Sequence, residues 1–193
     1  MSAERAGEGE SEERVRLFVA LELPEDVRQA LGRWRSDALR NITGLRAIPP
    51  DHLHVTLCFL GWQDAGEVEA IADACRAVTA SEPPELTLGE AVWLPPRRPR
   101  VLAVQLHDAH GRLAALQSEL SQRLEAGGWY VPERRPYMAH VTVVRVRRQA
   151  RVSPSALAEP EAMAFRASQV TLFRSHLSAA GARYEALAGM SLE

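Results

Sequence analysis

A tetrapeptide that occurs twice constrains this chain more than any other feature. The sequences HVTL at residues 54–57 and HVTV at residues 140–143 each place a histidine and a threonine two residues apart in an apolar run. On an extended strand, residues i and i+2 lie on the same face, so each copy presents an imidazole beside a hydroxyl. The intervening apolar side chains face the opposite, buried side. The pattern therefore predicts two strands with matching polar faces.

The two copies also indicate a chemistry. They lie 86 positions apart in a chain of 193 residues, which favours two similar lobes that face each other across one cleft. Histidine titrates near neutrality, so one of His54 and His140 can act as a base while the other acts as an acid. The hydroxyls of Thr56 and Thr142 would donate to phosphate oxygens. Such a set suits acid–base cleavage of a phosphodiester without a metal or another cofactor.

Composition places the chain among ordinary globular proteins, with 46% hydrophobic and 25% charged residues. No apolar run approaches the roughly 20 residues needed to span a bilayer. Cys58 and Cys75 offer neither a disulfide framework nor a zinc pattern, which favours the reducing cytoplasm. We therefore expect a cytoplasmic protein without a membrane partner, and a monomer.

Charge is unevenly distributed between the start of the chain and the rest. Residues 1–13 carry five glutamates against Arg5 and have no large apolar side chain, which predicts a disordered acidic tail. The remaining 22 arginines and 20 carboxylates leave residues 14–193 at about +2, and the chain has no lysine. That balance is too weak to indicate nucleic-acid binding by itself. It is compatible with a site for one phosphate or for the end of a strand.

Hydrophobic periodicity predicts one α+β domain over residues 14–193. Helices alternate with strands, but the hairpins indicate two mainly antiparallel sheets. The expected strands are 14–23, 45–48, 53–60, 86–94, 100–106, 137–146, 165–173 and 182–187. The expected helices are 24–41, 65–80 and 109–126, the last capped by Asp108.

A metal site is an alternative interpretation of the histidines. His52 lies two residues before His54, so His52, His54 and His140 would form a ligand set if the strand began early enough. Two prolines precede Asp51 and His52, which favours a turn there, and no carboxylate accompanies the set. We therefore predict no metal.

Further candidates flank the second motif. Arg145 follows Thr142 by three residues, so it lies on the opposite strand face unless the strand twists or bulges. It would contact a phosphate near the strand end in the second case, but a solvated arginine is the favoured interpretation. Tyr137 and the pair at residues 129–130, Trp-Tyr, offer rings on which a base could stack, although aromatic core is an equally good interpretation.

Taken together, the motifs resemble the 2H phosphoesterase superfamily. More closely, four segments resemble the bacterial RNA 2′,3′-cyclic phosphodiesterases, which were long labelled 2′-5′ RNA ligases. These segments are RLFVALELPEDVRQAL within residues 14–31, LHVTLCFLG at 53–61, YMAHVTVVRV at 137–146 and LFRSHLSAAGARYEAL at 172–187. The resemblance covers nearly the whole chain after the tail.

That resemblance implies a bilobal fold with pseudo-two-fold symmetry and helices outside a central cleft. It implies hydrolysis of a terminal 2′,3′-cyclic phosphate to a 2′-phosphate, with His54 as proton donor, His140 as proton acceptor, and Thr56 and Thr142 holding the phosphate. The motifs themselves do not assign the direction of proton transfer. Residues 138–139 are Met-Ala, where relatives often carry a basic residue and a proline, which leaves the length of the substrate open.

Other activities stay compatible with the motifs. Substrates would be RNA ends or small cyclic-phosphate nucleotides, but 2′-5′ oligonucleotide cleavage and 2′-5′ RNA ligation use the same groups. A non-catalytic module that binds RNA ends is a third possibility. Mere binding has no need of paired proton-transfer groups, so the two histidines favour an enzyme.

Overall fold

A ladder of antiparallel strands forms the centre of the protein. The structure is a computed structural model that describes residues 13–78, 82–178 and 181–192. Its strands are β1 (Arg14–Glu22), β2 (Leu45–Ala47), β3 (His54–Asp64), β4 (Glu85–Leu94), β5 (Val101–Asp108), β6 (His140–Val146), β7 (Ala164–Arg166), β8 (Gln169–Ser178) and β9 (Gly181–Ser191). Neighbours follow the order β7-β4-β5-β6-β3-β1-β8-β9, with β2 attached to β6. Every pairing among these strands is antiparallel, which confirms the predicted α+β class.

Three helices complete the described fold. They are α1 (Glu25–Ala38), α2 (Val68–Arg76) and α3 (Arg112–Ala126), and short 3₁₀ turns cover Pro50–His52 and Ala65–Glu67. In α3 the leucines recur at helical spacing and are buried, and α1 and α2 bury similar stripes. These side chains share one core with Val55, Leu57, Val141 and Val143. The helices therefore cover the side of the sheet opposite the histidines and threonines.

The two predicted sheets are halves of one continuous sheet. One half contains β1, β3, β8 and β9, and the other contains β2, β4, β5, β6 and β7. They meet where β3 pairs with β6, through the single residue pair Val55–Val141. Because this pair is antiparallel, a local two-fold axis relates the two motifs.

Element boundaries differ from the predicted ones for local reasons. α3 begins at Arg112 because the residue before it, Gly111, adopts φ = +66°, a conformation that glycine tolerates best. Asp108 still caps the helix, since its Oδ2 accepts the backbone N–H of Ala114 at 3.0 Å. β3 does not end at Gly61 but continues to Asp64, because Gly61 at φ = +73° accommodates a bulge in its pairing with β1.

Other boundaries shift by a few residues. α1 ends at Ala38, α2 is shorter than predicted within the described residues, and β6 begins at His140. The predicted closing pair consists of three strands, β7, β8 and β9. None of the helices in the described ranges is long and apolar enough to cross a membrane.

Most of the predicted tail, residues 1–12, lies outside the described residues. Its last member, Glu13, is described and contacts the domain. The Glu13 carbonyl accepts the N–H of Ala65 at 2.8 Å, and its carboxylate lies 2.7 Å from the Arg174 guanidinium. Glu13 is therefore held against the domain through both its backbone and its side chain.

Candidate active site

The pairing of Val55 with Val141 brings the two motifs together. Counting outward from this pair, His54 comes opposite Thr142, and Thr56 comes opposite His140. The valines are fully buried, so the histidines and threonines project from the other face. There they enclose a narrow cavity of about 40 Å³. It is lined by Ile48, His52, His54, Thr56, His140, Thr142, Arg145 and Tyr184.

The volume of this cavity limits what it holds. Pockets for whole drug-sized ligands measure roughly 300–1,000 Å³, so this cavity accommodates a small group such as a phosphate, with any attached nucleoside outside it. A larger, mainly apolar cavity of about 180 Å³ lies between α2, α3 and β9, among residues such as Cys75, Leu116 and Met190. That cavity contains neither motif.

Both histidines are held in the same way. Nδ1 of His54 lies 2.8 Å from the carbonyl of His52, and Nδ1 of His140 lies 2.8 Å from the carbonyl of Met138. A carbonyl only accepts, so each Nδ1 carries the proton and donates. In each neutral imidazole, Nε2 is therefore the unprotonated nitrogen. The backbone thus presents two equivalent Nε2 atoms to one cavity.

The surroundings of His54 are aromatic. Its ring centroid lies 5.0 Å from that of Phe18 and 5.4 Å from that of Tyr184, the latter edge-on at 82°. Burial lowers the pKa of His54 to about 4, because the charged form is poorly solvated there. The hydrogen bond to the His52 carbonyl opposes this effect, and the positive charges of Arg145, His52 and His140 add to it. At neutral pH His54 is therefore uncharged in the free protein.

A bulge in β6 directs Arg145 into the cavity. Thr142 pairs with Ala103 and Val144 with Leu102, so Val143 is an extra residue on β6. Val143 and Val144 are consecutively buried, and Arg145 returns to the face of Thr142. Strand alternation alone predicts Arg145 on the opposite face, and the bulge brings it to the face of Thr142. β3 has the same irregularity at Leu57, after which Phe59 occupies the equivalent position.

Arg35 of α1 holds this bulge from the side of the sheet that the helices cover. Its guanidinium donates to the carbonyl of Val143 at 3.3 Å and also to the carbonyl of Ile48. The backbone N–H of Ile48 donates to the same Val143 carbonyl at 3.0 Å. Two donors therefore hold the carbonyl of the extra residue, and the direction of Arg145 depends on them.

Tyr137 lies beside the cavity, not in its lining. Its hydroxyl is 3.3 Å from the Thr56 carbonyl, and its ring lines a neighbouring depression with Gln105 and Met138. In this position Tyr137 supports the first motif, and direct contact with a substrate stays a prediction. Trp129 and Tyr130 pack against the hydrophobic core, which agrees with their alternative interpretation as core residues.

His52 lies in the 3₁₀ turn before β3, as the two prolines indicated. Its ring packs against Tyr184, with centroids 4.9 Å apart. Among the described residues, no group of three or more His, Cys, Asp or Glu side chains is placed to hold a metal ion. The alternative set of His52, His54 and His140 is therefore not assembled as a ligand set in this part of the chain.

Three lining or neighbouring residues were missed as site residues. Tyr184 and Ile48 line the cavity, and Phe18 packs on His54. Tyr184 lies in the C-terminal segment that carries the family resemblance. That resemblance was the only feature of the sequence that pointed to Tyr184 as a site residue. Phe18 is an apolar residue of β1 and Ile48 directly follows β2, and nothing local in the sequence distinguishes either of them.

Comparison with known proteins identifies the family. The 2′-5′ RNA ligase superfamily matches residues 23–179. The chain belongs to this superfamily. It is 30% identical over 178 residues to an RNA 2′,3′-cyclic phosphodiesterase from Methanothermobacter thermautotrophicus, covering 89% of this chain and 95% of that protein. An Escherichia coli protein of the same name is 31% identical over 135 residues, or 69% and 73% of the two chains.

Solved structures of the superfamily share the fold. A protein from Thermus thermophilus superposes with a TM-score of 0.77 at 28% identity, covering 92% of this chain and 97% of the other. Escherichia coli LigT complexed with 3′-AMP gives a TM-score of 0.74 at 26% identity, covering 93% and 99%. The bilobal architecture expected from the resemblance is thereby confirmed.

We predict that His54 makes stability depend on pH. Its folded-state pKa lies below the usual 6.5, so the unfolded chain takes up a proton that the folded protein excludes. The stabilisation is complete above pH 6.5 and is lost as the pH falls towards 4. When the pH is lowered from 7.5 to 5, this group should lower the free energy of unfolding of wild type by about 2 kcal/mol.

Urea unfolding at both pH values checks this prediction in wild type and in His54→Gln. On acidification, the free energy of unfolding of the variant should fall by about 2 kcal/mol less than that of wild type. His110→Gln, which removes an exposed imidazole, is the matched control. Equal pH dependence in wild type and His54→Gln would show that His54 is not kept neutral by the fold.

We also predict that Arg35 acts on phosphate through Arg145. Arg35→Leu removes the side-chain donor at the bulge, so it should weaken binding of inorganic phosphate about as much as Arg145→Ala does. Because both act through one guanidinium, the double variant should be little weaker than either single variant. Phosphorus NMR titration gives the affinities, and Arg33→Leu, an exposed residue on the same helix, is the control. Additive losses would contradict the coupling.

Proposed function

We propose that this chain hydrolyses 2′,3′-cyclic phosphates at the 3′ ends of RNA, leaving a 2′-phosphate. One observation carries the proposal: two imidazoles, each held through its Nδ1 so that Nε2 is left for chemistry, line one cavity of phosphate size together with two threonines. The relatives named RNA 2′,3′-cyclic phosphodiesterase support it, because they match most of this chain.

The geometry suits the two proton transfers that the reaction needs. Water attacks the phosphorus and gives its proton to the neutral Nε2 of one histidine. The other histidine, protonated, gives its Nε2 proton to the 3′-oxygen as the bond between phosphorus and that oxygen breaks. The resemblance assigns donation to His54 and acceptance to His140. Both transfers are then carried by side chains of this chain.

The remaining cavity residues bind the charge of the phosphate. Thr56 and Thr142 each donate a hydroxyl proton to a non-bridging oxygen, and each does so from beside the histidine of the opposite motif. Arg145 adds a full positive charge that the bulge directs into the cavity. Donors fixed in this way stabilise the charge that develops on the phosphorane-like transition state.

The low pKa of His54 constrains its role as donor. In the free protein His54 is neutral at pH 7, so it has no proton to donate from Nε2. An anionic phosphate in the same cavity favours the protonated imidazole and raises its pKa. The donor role therefore requires that His54 take up its proton together with the substrate.

The same site could run related reactions. Ligation to a 2′-5′ linkage and cleavage of 2′-5′ oligonucleotides both use an acid and a base about a phosphate. A panel of cyclic-phosphate-ended RNA, 2′-5′ oligoadenylate and cyclic mononucleotides separates them by relative kcat/KM. Tight binding of an intact cyclic end without turnover would instead indicate a binding module.

We further propose that the enzyme acts as a monomer in the cytoplasm. A single chain supplies both motifs and Arg145, so the site is complete without a second copy. Cys58 and Cys75 are buried free thiols and do not pair with each other, as suits a reducing compartment. Light scattering on a size-exclusion column tests the monomer.

Substitutions of the motifs test the function itself. A positioned acid or base contributes about 10² to 10⁴-fold, so His54→Ala and His140→Ala should each lower kcat by roughly that factor. The double variant should lose much less than the product, because both groups act on one transition state. Thr56→Ala and Thr142→Ala should each cost about 1.5–3 kcal/mol of transition-state binding.

Hydrolysis of a cyclic-phosphate RNA end is the measurement, with circular dichroism to show that each variant is folded. His110→Ala removes an exposed histidine and should keep the wild-type rate. Near wild-type turnover by either folded motif variant would refute the two-histidine mechanism.

Proton uptake tests the roles of the two histidines. In His140→Ala, which should bind a 2′,3′-cyclic mononucleotide without turnover, binding at pH 7 should take up close to one proton. Titration calorimetry in two buffers of different ionisation enthalpy gives this number. His54→Gln/His140→Ala should take up none. If His140→Ala also takes up none, His54 remains neutral and the two roles are reversed.

A further inference from the structure

One end of the cleft carries an unusual concentration of arginine. Residues 95–100, PPRRPR, and residues 145–151, RVRRQAR, contain seven arginines and no carboxylate. Arg46 lies beside them. We call the eight arginines together the arginine end: Arg46, Arg97, Arg98, Arg100, Arg145, Arg147, Arg148 and Arg151. They are about a third of the 23 arginines of the chain.

Strand pairing brings these segments together. β5 begins at Val101, which pairs with Arg145 of β6, and β2 places Arg46 directly opposite Arg145 on the other side. Just beyond the strands, the carbonyl of Arg100 accepts the N–H of Val146 at 2.8 Å, and the N–H of Arg147 donates to Gly44 at 2.9 Å. Three chain segments therefore present their arginines at one end of the sheet.

These charges lack carboxylate partners among the described residues, although the Nε of Arg147 donates to the Leu45 carbonyl at 3.2 Å. Seven other arginines form ion pairs with a described carboxylate, including Arg28, Arg76 and Arg166, whereas none of the eight does. Seven of the eight are exposed. Arg46 and Arg145 are like charges directly opposite on neighbouring strands, an arrangement that destabilises a sheet unless an anion lies between them.

The arginine end is continuous with the phosphate cavity. Arg145 belongs to both, because it lines the cavity and pairs with Arg46. The cavity has room for little more than the terminal phosphate, so the rest of an RNA strand must lie on the surface outside it. The phosphates just upstream of the cyclic end need a positive surface, and the arginine end supplies one next to the cavity.

The opposite end of the cleft is less suited to a phosphate backbone. It exposes Phe59, over which the Arg16 guanidinium lies at 4.4 Å, and Trp62. These rings could stack on bases. However, the same end carries the carboxylates of Asp64 and Glu67, and so is mixed in charge.

We propose that the single-stranded RNA upstream of the cyclic end crosses the arginine end, with its backbone phosphates bound by these guanidinium groups. The inference rests on the proposed function, because it names how that site extends along its substrate. Arginine suits this task, since its planar group contacts phosphate oxygens in pairs. The arginine end also provides positive charge for binding the strand, although residues 138–139 lack a basic side chain.

The salt dependence of RNA affinity gives a quantitative test of the proposal. Each phosphate contacted by a single strand contributes about −0.7 to the slope of log affinity against log salt concentration. Losing one contact should therefore weaken binding about fivefold at 0.1 M salt. A cyclic mononucleotide has no upstream phosphate, so its kinetics should be insensitive to the arginine end.

The test compares two triple variants with equal loss of charge. R97S/R98S/R148S removes three exposed arginines of the arginine end, and R33S/R134S/R135S removes three exposed arginines elsewhere. Neither set includes a cavity residue. Each is assayed with a 2′,3′-cyclic mononucleotide and with a cyclic-phosphate-ended decanucleotide over a salt series.

The variant of the arginine end should raise KM for the decanucleotide by fivefold or more at 0.1 M salt and flatten its salt slope by about 0.7 or more. Its kcat, and all its constants for the mononucleotide, should match wild type. The control triple should match wild type on both substrates. An unchanged decanucleotide KM, or equal changes in both triples, would overturn the proposal. A change confined to the control triple would place the strand away from the arginine end and would also overturn the proposal.

Binding of a fluorescent RNA decanucleotide with a 3′-phosphate, followed by anisotropy, separates this proposal from the proposed function. If wild type hydrolyses neither substrate, the proposed function fails, while the anisotropy of the two triples still tests the arginine end. Loss of RNA affinity in R97S/R98S/R148S alone supports the binding surface. Wild-type affinity in that variant overturns it.

Discussion

A single backbone pairing, between Val55 and Val141, determines the geometry of the site. All other neighbouring strands share at least three registered residue pairs, whereas β3 and β6 share this one. Because the halves of the sheet meet only here, they can diverge on either side, and the divergence leaves a cleft between them. The same pair sets each histidine opposite the threonine of the other motif. A slip of one residue would turn the polar side chains of one motif into the core, so burial of the two valines enforces the register.

The part of the site that follows strand periodicity could be predicted from the sequence, and the part that breaks it could not. His54, Thr56, His140 and Thr142 follow a period of two, which needs no tertiary information. Arg145 reaches the cavity only because Val143 is an extra residue, and the bulge depends on pairing with β5 and on Arg35 from α1. The only local signal was two consecutive apolar residues after each motif. Such a pair fits an uninterrupted buried strand equally well, and the distant partners decide between them.

The two histidines also show how similar backbones acquire different chemistry. Their Nδ1 atoms bond to the carbonyl two residues earlier, at the same distance, because each begins its strand after a turn or loop. The rings around His54 come from β1 and β9, which are remote in sequence, and burial among them lowers its pKa. This lining keeps His54 neutral in the free protein, so the proposed donor acquires its proton only together with an anionic substrate.

The net charge of this molecule is a poor predictor of its attraction for RNA, because the fold distributes the charged side chains unevenly over the surface. A surplus of about two positive charges over residues 14–193 predicts little attraction for RNA. Antiparallel pairing nevertheless collects arginines from three segments at one end of the cleft, while other arginines are neutralised by carboxylates on their own helices. Placing Arg46 opposite Arg145 costs the free protein electrostatic energy. A bound strand of phosphates would relieve that repulsion at the residue that also lines the cavity, so the unfavourable pair in the free protein becomes part of the affinity for its substrate.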